Sequence, residues 1–285
     1  MTSSATTPPT GRPLVLVSWD GASEPLAMLH LDTPAQFDWL LFDYSGRQTA
    51  GPRELRGLRC TVLSAATECK GELYQALAEH LAEQQQSGAP LPEYVGLIDD
   101  DILLGVSDIN RALHLARVER LDCFSPTLSL DSVASHRWSL TQPRRMFRPA
   151  DWVEVMMPFY RGTLFLAGRT CYRGNVSSWG IDRYLMPTLQ RLLGCTHTAL
   201  LDAVIASHRR PVTSGDKTYR NGRTAPEERE AMKALCQRLI AEQHPELATG
   251  DWYRRLFVQR RPFGRMQKLT HSLGRRIRDW LESSL

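Results

Sequence analysis

The sequence has no stretch of about 18 consecutive apolar residues, so it offers no segment that could span a membrane as a helix. It also lacks a CxxC pair. Its six cysteines stand at 60, 69, 123, 171, 195 and 236, too scattered for a zinc site or a disulfide framework, and they read as buried thiols of a reducing compartment. An excess of one charge is missing as well: 35 Lys and Arg against 31 Asp and Glu leave a formal +4, too balanced to mark a nucleic-acid partner. There is no internal repeat, and low complexity is confined to the start. Residues 1–12, rich in Thr, Ser and Pro, have neither the basic start nor the apolar stretch of a secretory leader and are expected to form a disordered tail. A cytoplasmic location follows as an expectation.

What is present is 285 residues with 42% hydrophobic content, enough for one α/β domain with appendages. Apolar runs at Pro13–Ser18, Phe37–Tyr44, Leu58–Ser64, Tyr94–Ile98 and Leu200–Ser207 read as buried strands. Leu73, Ala76, Leu77 and Leu81 fall at helical spacing within Glu72–Gln86. Strands that are apolar throughout and alternate with helices predict a mostly parallel central sheet flanked by helices. Gly180–Leu193 reads as helical, with Pro187 either starting a second helix or kinking the first. Ser214–Arg223 is polar and reads as a mobile loop, and Thr224 with Glu227 has capping-box spacing for a helix toward Gln243.

Four places could carry chemistry. Asp99, Asp100 and Asp101 follow the Tyr94–Ile98 strand directly, where adjacent carboxylates repel unless a cation relieves them. Ligands of open α/β sheets bind beyond such strand ends, and hard oxygen donors suit Mg²⁺ or Mn²⁺; a solvated acidic turn, capping a helix near Ser107, is the alternative. His208 ends the Leu200–Ser207 run and precedes Arg209 and Arg210, so it is either a metal ligand beside phosphate-binding arginines or a surface histidine in a basic loop. Asp182, after Trp179 and Gly180, is either a general base or a carboxylate favouring a helix start. Glu154 interrupts the apolar run Trp152–Phe159, which demands a partner, a task or an edge position.

Four segments in series, YVGLIDDDI at 94–102, WVEVMMPFYRGTLF at 152–165, VSSWGIDRYL at 176–185 and LLDAVIASHRRPVTSG at 200–215, resemble a plant and bacterial family known only as a domain of unknown function. FSPTLSLDSVASHRW at 124–138 resembles that family's Ser-x-x-His segment. The pattern departs at Pro158, which follows Met157 without an alanine, and at Ser177 and Ser178 before Trp179. The family in turn resembles GT-A nucleotide-sugar glycosyltransferases. That resemblance implies a Rossmann-like catalytic domain over 13–223; residues 224–285 have no counterpart in the family and read from their own composition as a helical, basic extension. It implies a nucleoside-diphosphate sugar donor, a UDP-sugar above all, and a glycan or other hydroxyl acceptor attacked with inversion. By motif, Asp99 and Asp101 take the DxD role, with Asp101, Asp99 and His208 on Mn²⁺ or Mg²⁺. Asp100, Arg209 and Arg210 hold the donor, Asp182 is the base, and Glu154, Trp179, Gly180 and His136, with Ser135 nearby, line the substrate pocket.

Two rival readings stand beside this one: a catalytically silent carbohydrate-binding or assembly protein, and a nucleotidyltransferase, whose glycine-rich N-terminal signature is missing. Over 251–285, nine Lys or Arg face three acids, and Leu269, Leu273, Ile277, Trp280 and Leu281 form one helical stripe. Such a helix either lies on an anionic membrane surface or packs on the domain.

Overall fold

The computed structural model describes residues 11–211 and 216–258. Two compact units divide at Cys236 and Gln237. The first holds a large central sheet. Its strands are β1 (Leu14–Trp19), β2 (Leu29–His30), β3 (Asp38–Asp43), β4 (Gly51–Leu55), β5 (Leu58–Ser64) and β6 (Tyr94–Ile98), followed by β7 (Ile102–Gly105), β8 (Cys123–Leu128), β9 (Arg148–Pro149), β10 (Phe159–Arg161) and β11 (Thr198–His208). They lie in the order β2-β7-β11-β8-β10-β6-β1-β3-β5-β4, with β9 beside β11. The five apolar runs recognised in the sequence are β1, β3, β5, β6 and β11. The pairings β6-β1-β3-β5 and β8-β11 are parallel, as strands buried on both faces require. β4, β7, β9 and β10 add antiparallel pairs around them, and these short or polar strands carried no recognisable run.

Helices α1 (Lys70–Gln86), α2 (Val106–Val118), α3 (Gly162–Ala167) and α4 (Met186–Leu193) accompany the sheet, and α5 (Ala225–Gln243) begins in the first unit and runs into the second. Val15, Val17 and Trp19 on one face of β1 share a core with Ile109, Leu113 and Ala116 of α2. Elsewhere α1, β10 and α3 meet through Tyr74, Tyr160, Phe165 and Tyr172, whose ring centroids lie 5.4–6.3 Å apart, with the Tyr74 and Tyr160 hydroxyls 3.2 Å from each other. Burying one such ring stabilises the fold by roughly 1.5–3 kcal/mol. Gly96 in β6 is required by the packing of Phe159, which stacks on Phe124 in the core shared with α2, since a Cβ there would lie 2.4 Å from the Phe159 ring.

Within the second unit, Phe257 is buried and its ring lies 4.8 Å from that of Tyr253. The amphipathic stripe from Leu269 to Leu281 lies outside the described residues, as do 212–215 of the loop expected to be mobile. Among the described residues no helix is long and apolar enough to cross a membrane.

Candidate active site

The acidic cluster sits in the tight turn between β6 and β7. Asp99 N donates to the Met156 carbonyl (3.2 Å) and Ile102 N returns to Asp99 O (3.2 Å), so the chain reverses within three residues. The alternative expectation was an acidic turn capping a helix near Ser107; α2 does begin there, at Val106, but its N-cap is Gly105 and the acids do not cap it. Instead β7 intervenes, and it does so to effect: it pairs antiparallel with the end of β11 in a register that sets His208 opposite Ile102. Asp101 precedes Ile102, and its Oδ2 therefore lies 3.3 Å from His208 Nε2.

His208 is not a surface histidine. It is 4% exposed, its amide donates to Ser132 Oγ (3.1 Å), and its Nδ1 stands 2.7 Å from the Val133 carbonyl. A carbonyl can only accept, so Nδ1 carries a proton, and Nε2 is the ring nitrogen that faces Asp101. Backbone anchoring of the distal nitrogen is the way metal-binding histidines are held. Among the described residues no group of three or more His, Cys, Asp or Glu is arranged to hold a metal. The donors brought together are two, one carboxylate and one imidazole, a set that suits a divalent ion completing its shell with water and a ligand's phosphate oxygens.

The other two acids have partners of their own. Lys70 Nζ donates to Asp99 Oδ1 and to the Met156 carbonyl (3.2 Å). Burial raises the Asp99 carboxyl to about 6 even though Lys70 pulls it down, and Asp101 and Asp100 push in the same direction as burial. Asp99, expected among the metal ligands, is thus ion-paired to α1. Asp100 accepts from Tyr44 Oη (2.9 Å) and faces Arg210 Nη1 at 3.4 Å, and its amide donates to Ser18 Oγ at the end of β1 (3.0 Å). Burial and the Asp100 carboxylate raise the Tyr44 phenol. Arg209 turns away from the cluster and pairs with Asp131 (2.5 Å).

Asp182 occupies a turn of π-helix, Ile181–Leu185, leading into α4; Pro187 lies in the first turn of α4, where its missing N–H costs nothing. Burial first and the neighbouring Glu154 carboxylate second raise the Asp182 carboxyl, against the Arg183 amide that holds it down, to about 7. Glu154 is itself raised by burial, against hydrogen bonds from Ser139 and Ser135 and the nearby His208. Asp101, His208, Glu154 and Asp182 therefore form one connected electrostatic neighbourhood. Glu154 lies in irregular chain before β10, not on an edge strand.

His136 Nε2 is 4.0 Å from Glu154, and its ring stacks on Trp138 and meets Trp152 edge-on. Burial and Arg183 lower its pKa. Arg183 lies 5.6 Å over the Trp152 ring. Trp179 is 36% exposed, with Arg229 of α5 6.0 Å from its ring. Gly180 has φ +92°, and a Cβ there would sit 2.8 Å from Met232 Cβ, so glycine is what lets α5 pack against this turn.

Four contributors carried little signal in the sequence. Lys70 stands at the start of α1, where the helix dipole disfavours a cation; that misplacement was the available clue. Asp43 ends an apolar run and is fully buried, accepting from Ser45, Ser64 and the Gln48 amide, which shape the loop bearing Tyr44. Ser132 and Val133 anchor His208 from 76 and 75 residues away.

No protein-family model matches the chain, nor does any curated protein. Solved structures do. Staphylococcus aureus TarS 1–349 in complex with UDP-GlcNAc matches with a TM-score of 0.53 at 11% identity, over 85% of this chain and 68% of that one. A longer S. aureus TarS structure matches at 0.51 and 12% identity, over 88% of this chain and 44% of that one. GalNAc-T7 with UDP, GalNAc and Mn²⁺ matches at 0.50 and 11% identity, over 90% and 53%. The chain thus spans from under half to about two thirds of these proteins. At such identities the likeness concerns the fold, and the fold of this chain is that of the GT-A glycosyltransferases.

Proposed function

We propose that this protein is a metal-dependent glycosyltransferase that moves a sugar from a nucleoside diphosphate, UDP above all, to a hydroxyl of a glycan or related acceptor. The observation that carries the reading is the pair Asp101 and His208, 3.3 Å apart at the carboxyl ends of the sheet, with His208 Nδ1 committed to Val133 and Nε2 facing Asp101. Mn²⁺ or Mg²⁺ held there would neutralise the charge growing on a diphosphate leaving group. Arg210, beside Asp100, adds a cation for the same phosphates. Tyr44, Asp100 and Ser18 fix the turn, while Lys70 and Asp99 fix α1 against it.

Asp182 takes the proton of the attacking acceptor hydroxyl. A carboxyl raised to about 7 accepts a proton far more readily than an ordinary aspartate, which suits a base working near neutrality. Attack from the face opposite the diphosphate inverts the anomeric centre. Glu154, His136 and Trp179 belong to the substrate pocket, with Trp138 and Trp152 packed against the His136 ring behind it.

A transfer and hydrolysis assay over a panel of UDP-sugars with Mn²⁺ tests this reading. Release of UDP that falls at least 100-fold in Asp101→Ala, and equally in Asp182→Asn with donor binding kept, is the expected result. Full activity in either variant would remove that residue from its role.

A further inference from the structure

A second carboxylate works on Asp182 from a distance. Glu228, in the first turns of α5, is 1% exposed. Its Oε1 accepts from the Val176 amide (2.8 Å) and from Asn221 Nδ2; its Oε2 accepts from the Ser177 amide (2.6 Å) and from Ser177 Oγ. Four donors fill what one carboxylate can accept, so this buried acid is fully satisfied. A buried carboxylate of this kind is costly to leave unpaired, and each bond to it is of the stronger, charge-assisted class.

The segment it holds leads straight into the proposed base. Ser177 Oγ also accepts from the Trp179 amide (3.1 Å), and Asn175 closes the loop on either side, taking the Ser178 amide at 2.8 Å and giving Nδ2 to the Trp179 carbonyl at 3.1 Å. Ser178 has φ +71°, a conformation that a non-glycine residue keeps only when its surroundings over-determine it, and Gly180 follows with φ +92°. Val176 reaches the other side of the site as well: its carbonyl accepts from Gly71 N (2.8 Å), next to the Lys70 that holds Asp99.

We infer that Glu228 is the positioning residue of the site. It fixes the 176–182 segment that aims Asp182 and ties that segment, through Val176, to the helix end that holds the acidic cluster. It touches no substrate. The inference rests on the glycosyltransferase reading for its catalytic consequence but not for its geometric content, and the test separates the two.

The primary variant is Glu228→Gln, whose amide turns an N–H₂ against donors; Ser177→Ala, which removes the hydroxyl's bonds to Glu228 and from the Trp179 amide but leaves the Val176 and Ser177 amides paired with Glu228, is the milder second variant. Four quantities are measured on each: melting temperature, binding of UDP with Mn²⁺, hydrogen exchange of the peptide covering 175–185, and turnover of the active UDP-sugar. Exchange over 175–185 is expected to rise about tenfold or more in Glu228→Gln. Turnover should fall about 10- to 100-fold, the usual effect of a misplacement of order 1 Å, while UDP affinity stays within about threefold. Ser177→Ala should show the same pattern at smaller size. Unchanged exchange and turnover would overturn the inference, as would a uniform loss of melting temperature and UDP affinity in both variants, which marks a merely structural acid. If wild-type protein turns over no UDP-sugar, the functional reading fails, and exchange over 175–185 still decides the role of Glu228.

Discussion

Replacing Asp182 with asparagine should stabilise the protein above neutral pH while stopping transfer. The Asp182 carboxyl is raised from its ordinary 3.8 to about 7, by burial first and by Glu154 second. Between about pH 4 and pH 7 the folded chain therefore binds a proton that the unfolded chain has released, and stability falls as pH rises through that window. Below pH 4 both states are protonated and the residue contributes nothing. Above pH 7 the loss is complete, at about 4 kcal/mol for a fully desolvated group. Asp182 is partly exposed, and water reaching it reduces the effect to roughly 2 kcal/mol. In a chain of this size that corresponds to a melting temperature roughly 4–8 °C higher for Asp182→Asn at pH 8, shrinking to nothing near pH 4. Thermal melts of both proteins from pH 4 to 8.5, without metal or nucleotide, supply the comparison. A difference that does not change with pH, or a less stable variant at pH 8, would refute the reasoning.

Other expectations follow from the same geometry. Wild-type turnover should rise with pH through about 7 as the base loses its proton, and a profile flat from pH 5.5 to 8.5 would remove Asp182 from that role. Asp43, buried yet held at about 2 by Ser45, Ser64 and Gln48, contributes about 2 kcal/mol that is present above pH 4 and lost as pH falls through 2; Asp43→Asn should lower stability by about that much in urea titrations at pH 7. Gly180→Ala, meeting a positive φ and Met232 at 2.8 Å, should cost roughly 1–3 kcal/mol and lower turnover.

Most of the parallel part of the sheet was legible in the sequence because β1, β3 and β6 are almost wholly buried and read as apolar runs, whereas β8, fully buried but broken by Ser125 and Pro126, was not recognised. β7 was not, because Ile102–Gly105 is only four residues long and Leu103 faces solvent. Yet that short strand is what joins Asp101 to His208. The site residues were legible where chemistry interrupts an apolar pattern, as at Asp101, Glu154 and His208. Lys70 and Glu228 escaped because their partners lie 29 and about 50 residues away, and a helix-start glutamate looks the same whether it caps its own helix, as Glu227 does, or holds another segment. Arg209 shows the converse: adjacency to His208 suggested a phosphate ligand, while strand alternation turns it outward to Asp131.

The most direct test of the account is calorimetric titration of UDP into the protein with Mn²⁺, with Mg²⁺ and with EDTA, for wild type, Asp101→Ala and His208→Ala. The account predicts binding that requires the metal and is lost in both variants. UDP binding that is indifferent to EDTA and to both substitutions would contradict it.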